Sequence, residues 1–180
     1  MANSPTIDAL YRIKRGLAGY VSYLAACEMN ESFSEYVLYE PALRILTARG
    51  FTVKCEVPCP GYVKVGRGDF KKIDYVAELR RDAFAVEMKW AQKARIDVAA
   101  DVEKLTRFIA SGVRQRGFLC VFGRRNHIEG LVMQPVPGPE QGKGIYADFG
   151  VTRYGCRVFE VRRNARRIGS RRQSSNSGSR

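Results

Sequence analysis

A chain of 180 residues with 31 basic and 18 acidic side chains carries a formal charge of +13. That length is enough for one substantial hydrophobic core and too short for two comfortable domains. The hydrophobic fraction of 45% is that of an ordinary folded protein. The surplus of positive charge favours a polyanionic partner, nucleic acid ahead of an anionic membrane surface, and by itself names no chemistry.

Ser4 followed by Pro5 has the form of an N-cap with proline at the first helical position. Leu10, Ile13, Leu17, Val21 and Leu24 then recur at helical spacing, with Gly16 and Gly19 weakening the middle of the helix. The same stretch has a second reading. Lys14-Arg15, a short apolar run and Leu24-Ala25-Ala26-Cys27 resemble a bacterial lipoprotein signal, but Tyr20, Ser22 and Tyr23 interrupt the run and an amphipathic helix explains them. No run reaches the roughly 18 apolar residues of a membrane span. The chain therefore reads as cytoplasmic, with no membrane partner. Residues 1–32 form an N-terminal helical segment ending at Asn30-Glu31-Ser32.

A second helix is predicted from about Phe33 to Arg49, its stripe including Leu38, Ala42, Ile45 and Leu46, stopped by Gly50. Phe51 to Val57 alternates as a strand and ends at Pro58 and the Pro60-Gly61 turn. Tyr62, Lys64, Arg67, Lys71 and Lys72 surround a loop with Gly66 and Gly68, read either as a phosphate-contacting loop or as an ordinary connection. Strands follow at Lys72–Leu79 and Ala83–Trp90. A helix from about Asp97 to Ser111 carries Val98, Val102, Leu105 and Ile109 on one face, and Gly117–Gly123 is a strand apolar enough for burial on both faces.

Residues 126–162 read as a β-rich extension, with strands at Gly144–Val151 and Cys156–Arg162 after a Pro/Gly-rich stretch. From Arg162 to Arg180 there are seven arginines and no acid, so residues 163–180 are expected to be a disordered basic tail. The five cysteines (Cys27, Cys55, Cys59, Cys120, Cys156) form no CxxC pair, and one histidine cannot complete an ordinary zinc site. Cys55 and Cys59 are close enough in sequence to act as a ligand pair, but buried or half-buried thiols in a reducing compartment fit the set better.

The chemistry concentrates in two strands. Alternation in Phe84–Trp90 puts Phe84, Val86, Met88 and Trp90 on an apolar face, with Ala85, Glu87 and Lys89 opposite. In the preceding strand Ile73, Tyr75, Ala77 and Leu79 share a face, leaving Asp74, Val76 and Glu78 opposite. A hairpin turning at Arg80-Arg81 sets Asp74 directly across from Glu87, a costly pairing of like charges unless a cation lies between them. A hard divalent ion suits two carboxylates and water, magnesium (Mg2+) first and manganese (Mn2+) as its substitute. The competing reading makes Glu87 and Lys89 a solvated ion pair on an exposed strand.

The order of helix with acid, strand, Asp strand, Glu-x-Lys strand, helix and strand resembles the PD-(D/E)xK nucleases, over roughly Phe33 to Arg124. Ile73-Asp74 matches the first half-motif, with isoleucine in place of proline, and Glu87-Met88-Lys89 the second. Glu35-Tyr36-Val37-Leu38-Tyr39-Glu40-Pro41 matches the acid-bearing helix motif, Glu35 being the first choice and Glu40 the substitute. The resemblance implies an α/β restriction-endonuclease-like αβββαβ core over residues 33–125, a mixed sheet flanked by helices. It also implies catalysis by Asp74, Glu87, Lys89 and Glu35. The metal would be held by Asp74, Glu87, the Met88 carbonyl and Glu35, and Lys89 would act on the attacking water or the phosphate.

Expected nucleic-acid contacts are Lys64, Arg67, Lys71, Lys72, Gln92, Arg162, Arg163, Arg166 and Arg167. Asp101 and Lys104 read as a surface pair, although helices at this position in the family often face the site. The implied activity is metal-dependent hydrolysis of DNA, RNA ranking behind it, with a homodimer or a protein partner left open. The alternative is a non-catalytic nucleic-acid-binding or scaffolding module on the same fold.

Overall fold

The computed structural model describes residues 4–29, 35–62, 71–148 and 153–162. The basic loop with Lys64 and Arg67 and the tail with Arg163, Arg166 and Arg167 lie outside the described residues.

Helix α1 spans Pro5–Ala26, with Ser4 at its N-cap. The Ser4 side chain makes no capping bond, so the preset backbone angle of Pro5 is what favours the start. Leu10, Ile13, Leu17 and Val21 are buried as their spacing predicts. Two polar groups share that face and are satisfied there. Ser22 Oγ donates to the Ala147 carbonyl at 3.0 Å, and Lys14 Nζ donates to the carbonyls of Gln141 and Lys143 at 2.5 and 2.9 Å. Burial holds the Lys14 pKa below the usual lysine range.

The second helix is split. A 3-10 turn covers Glu35–Leu38 and helix α2 runs Tyr39–Ala48. Pro41 supplies the reason: it has no N–H, and its ring conflicts with the carbonyl of Val37, so an α-helix cannot continue unbroken through it from residue 33. Gly50, at φ 82°, ends the run as expected.

Strands β1 (Thr52–Pro58), β2 (Lys72–Leu79) and β3 (Asp82–Ala91) form an antiparallel meander. The β2–β3 turn is Arg80-Arg81, and Tyr75 pairs with Val86, the predicted register. After β4 (Arg95–Asp97), helix α3 (Ala99–Ala110) crosses over to β5 (Gln115–Arg124), which pairs parallel to β3. Helix α4 (Arg125–Glu129), β6 (Val132–Gln134), β7 (Ile145–Asp148) and β8 (Arg153–Val161) complete the described elements.

The result is an α/β protein with a mixed six-stranded sheet, ordered β1-β2-β3-β5-β8-β7, and a small parallel pair of β4 and β6. Helices α1 and α2 bury Leu17 and Leu46 with Phe84, Val86, Phe118 and Phe122 on one side of the sheet. Helices α3 and α4 bury Leu105, Ile109 and Ile128 with Ala85, Leu119 and Val121 on the other. β5 is therefore covered on both faces, which explains its continuous apolar run. β8 extends the main sheet beside β5. Cys59, Cys120 and Cys156 are buried, Cys27 and Cys55 exposed, and all five are free thiols. No helix of the described residues is long and apolar enough to cross a membrane.

Glycines in and beside this frame separate space from backbone freedom. A Cβ at Gly19 would meet nothing within 4 Å, whereas one at Gly123 would lie 2.7 Å from the Ala91 carbonyl on the neighbouring strand. Gly19→Ala is expected to stabilise the protein by up to about 1 kcal/mol, and Gly123→Ala to destabilise it by about 1–3 kcal/mol. Urea denaturation of the two variants measures both, and a shift of the same sign in each would contradict this account.

Candidate active site

The site begins where β2 leaves β3. The β1–β2 register pairs Cys55 with Tyr75 and then Val57 with Ile73, passing over Glu56 and Asp74 without inserting a residue. Glu56 has φ 53° there. Tyr75 lies in the core under α1 and α2, but Ile73 lies in the core under α3. The strand rolls between them, and the expected single face for Ile73 and Tyr75 is corrected accordingly. Asp74 is turned toward β3, where its Oδ2 accepts the Met88 N–H at 2.7 Å. Two residues further, Glu35 Oε1 accepts the Trp90 N–H at 2.9 Å.

The β2–β3 ladder reaches Tyr75–Val86. Beyond it, side-chain carboxylates take the place of a neighbouring strand along the edge of β3. Because a strand residue presents its N–H and C=O to the same side, the Met88 carbonyl opens toward the same gap as Asp74. The Met88 side chain itself is core.

Glu87 and Lys89 face α3. Glu87 is 1% exposed; its Oε2 accepts a hydrogen bond from Lys104 Nζ at 2.5 Å, and its Oε1 is buried without a hydrogen-bond partner. Lys104 also donates to the Lys72 carbonyl at 3.0 Å and lies 3.8 Å from Asp101 Oδ1. Lys89 Nζ lies 3.3 Å from Asp101 Oδ2. Asp101 and Lys104 are therefore part of the site and not the surface pair that was expected. A sequence signal existed: Asp101 shares the helical stripe of Leu105 and Phe108, an unusual place for an acid unless it has partners.

Burial, reinforced by the charge of Asp74, pushes the Glu87 pKa up to about 9 despite Lys104. Burial also raises Asp74, opposed by the nearby Tyr39 hydroxyl and by the hydrogen bond from the Met88 amide. Burial works against the charge on Lys104, but the charge and hydrogen bond of Glu87 outweigh it and raise its pKa. Tyr39 is raised by burial and then by Asp74, so it remains a donor.

Glu35, Tyr36, Lys89, Trp90, Gln92 and Lys93 contribute to the wall of an adjoining pocket of about 640 Å³. Asp74 and Glu87 lie off this lining. Glu40 is on the exposed side of α2, paired with Arg44, so Glu35 is the helix acid that reaches the site. Lys71 pairs with Glu103 at 3.1 Å and Lys72 with Glu56 at 3.5 Å, and these ion pairs already occupy two expected phosphate contacts. Gln92 lines the pocket. Arg162 follows β8 at the other end of the sheet, near Gln115 and Arg116.

Among the described residues, no three His, Cys, Asp or Glu side chains gather around a point where they could hold a metal. The donors do fit the sparer coordination of magnesium, which uses one or two carboxylates and keeps several waters. Asp74 and Glu87 would supply the carboxylates and Met88 a carbonyl, and Glu87 Oε1 is a buried oxygen without a hydrogen-bond partner. No protein-family model, curated protein or solved structure matches this chain.

The raised acids give the metal-free protein a defined pH response. The stabilisation from a Glu87 pKa raised above its ordinary 4.5 is complete below that value and is lost as pH climbs toward about 9; Asp74 acts with the same sign. In chelator, the melting temperature is expected to fall between about pH 5 and about pH 8, and to fall less steeply in Glu87→Gln. Equal slopes in the two proteins would contradict this assignment.

Proposed function

We propose that the chain is a divalent-metal-dependent nuclease of the PD-(D/E)xK type that hydrolyses phosphodiester bonds of DNA. The observation that carries the reading is Asp74 on the Met88 amide at the parting of β2 and β3, its charge acting on Glu87, with Glu35 on the next free amide of β3 and Lys89 held by Asp101. The order of acid-bearing helix, strand, Asp strand, Glu-x-Lys strand, crossover helix and parallel strand supports a restriction-endonuclease-like arrangement. The site also lies in the later half of β3, toward the carboxyl ends of two parallel strands, where open α/β sheets bind ligands.

Asp74, Glu87 and the Met88 carbonyl would hold magnesium or manganese, which supplies Lewis acidity toward water and neutralises charge developing on phosphate. The residues of the chain do the rest. Lys89 is aligned by Asp101 and reaches the pocket wall, where its ammonium donates to the attacking water or to a phosphate oxygen. Glu35 has one oxygen fixed by the Trp90 amide and retains the other as an acceptor for water. Gln92 and Lys93, on the same wall, are placed to contact substrate. The overall positive charge adds sequence-independent attraction to the phosphate backbone.

A second reading, a non-catalytic nucleic-acid-binding module on the same fold, draws support from Lys104, whose ammonium already occupies one oxygen of Glu87. RNA ranks behind DNA in both. Supercoiled and linear DNA incubated with magnesium, manganese or chelator separates the two. Metal-dependent cleavage is expected, reduced about a hundredfold or more in Asp74→Ala and Lys89→Ala while circular dichroism reports an intact fold. Cleavage persisting in both variants would remove the site assignment. Salt-dependent binding without hydrolysis under either metal would favour the second reading.

A further inference from the structure

Lys104 sits in surroundings that a hard cation would take. Its ammonium is held by Glu87 Oε2 at 2.5 Å and the Lys72 carbonyl at 3.0 Å, with Asp101 Oδ1 at 3.8 Å. The charge of Asp74 acts on it as well. All of these partners are oxygen, the donor set of magnesium. Lys89 stands outside this shell, on the other oxygen of Asp101.

We infer that Lys104 is a tethered internal cation that occupies an oxygen-lined position at Glu87 and competes there with a divalent metal. The inference rests on the metal-dependent reading for the identity of its competitor. A metal drawing on the free Oε1 of Glu87 sits one carboxylate away from the ammonium on Oε2, and the two cations repel strongly at that range. Asp101, one helical turn back on α3, already faces both lysines and can receive Lys104 without main-chain movement. As Lys104 moves onto Asp101, the hold of Asp101 on Lys89 loosens and Lys89 is freed toward the pocket. Arrival of the cation and release of Lys89 are thereby one event. Lys104 is a positioning residue in this scheme and does not touch substrate.

The test is manganese binding to the full chain after chelator treatment, followed by titration calorimetry and by the paramagnetic signal of free manganese. Wild type, Lys104→Met, Lys104→Arg and Lys71→Met are compared. Lys104→Met is expected to bind manganese roughly ten- to a hundredfold more tightly than wild type, the range set by losing one charge-assisted hydrogen bond. Lys104→Arg keeps a cation in place and should gain nothing. Lys71→Met removes an equal charge outside the oxygen shell and should change affinity by less than about threefold.

If wild type binds manganese and Lys104→Met binds it no more tightly, the inference is overturned while the nuclease reading stands. If only Lys104→Met binds, the inference holds and the nuclease reading falls, with Lys104 a permanent substitute for metal. If neither binds, both fall. Where Lys104→Met proves too unstable for calorimetry in chelator, thermal melting reads the same quantity. A larger manganese-induced rise in Tm than in wild type supports the inference, and an equal or smaller rise overturns it.

Discussion

The hydrogen bond from the Met88 amide to Asp74 Oδ2 is the contact around which the site is organised. A buried strand edge must satisfy its amides, and the usual partner is another strand. Here β2 rolls at Asp74 and hands that duty to a side chain, after which Glu35 takes the next available amide at Trp90. One exchange has two results: the sheet opens a gap between β2 and β3, and two acids are fixed at the edge of that gap by the backbone itself. On the α2 side the Tyr39 hydroxyl donates to Glu56 Oε1 at 3.4 Å, and its ring packs against Tyr75 with centroids 4.8 Å apart. The acids are thus part of the hydrogen bonding that holds the sheet edge.

Electrostatics explains why the neighbouring helix matters. Glu87 is nearly inaccessible and faces the charge of Asp74, conditions that disfavour a bare carboxylate. Lys104 relieves one of its oxygens and leaves the other without a partner. Asp101 in turn lies between Lys104 and Lys89, so four side chains from β3 and α3 alternate in sign across the interface of strand and helix. Such an arrangement is sensitive to any added charge, since altering one member changes the balance for the next.

Much of this was legible in the residues. The alternation of Phe84 through Trp90 and the turn at Arg80-Arg81 follow from period-two patterning and hairpin geometry, whereas Asp74, expected directly across from Glu87, bonds the Met88 amide beyond the last ladder pair, Tyr75–Val86. The roll at Asp74 was not, because alternation assumes a uniformly pleated strand and nothing local in Ile73-Asp74-Tyr75 announces a break. Pro41 did contain the information that splits the second helix, which the apolar stripe masked. β4, α4 and β6, three to five residues each, are too short to display a period and depend on pairing partners distant in sequence. Asp101 and Lys104 were visible as charges, but their inward direction depends on where α3 docks against β3.

Trp90 is the sole tryptophan of the chain. Its amide is bonded to Glu35, its ring packs within 5.2 Å of Phe122 and 5.9 Å of Tyr154, and it lines the pocket. Sequence and fold have therefore placed a single intrinsic fluorophore between the hydrophobic core and the wall of the site. Ultraviolet excitation at the red edge, where tyrosine does not absorb, isolates light from this one position among nine tyrosines. The native protein thus carries an optical probe beside Glu35 and Lys89 without any label having to be attached.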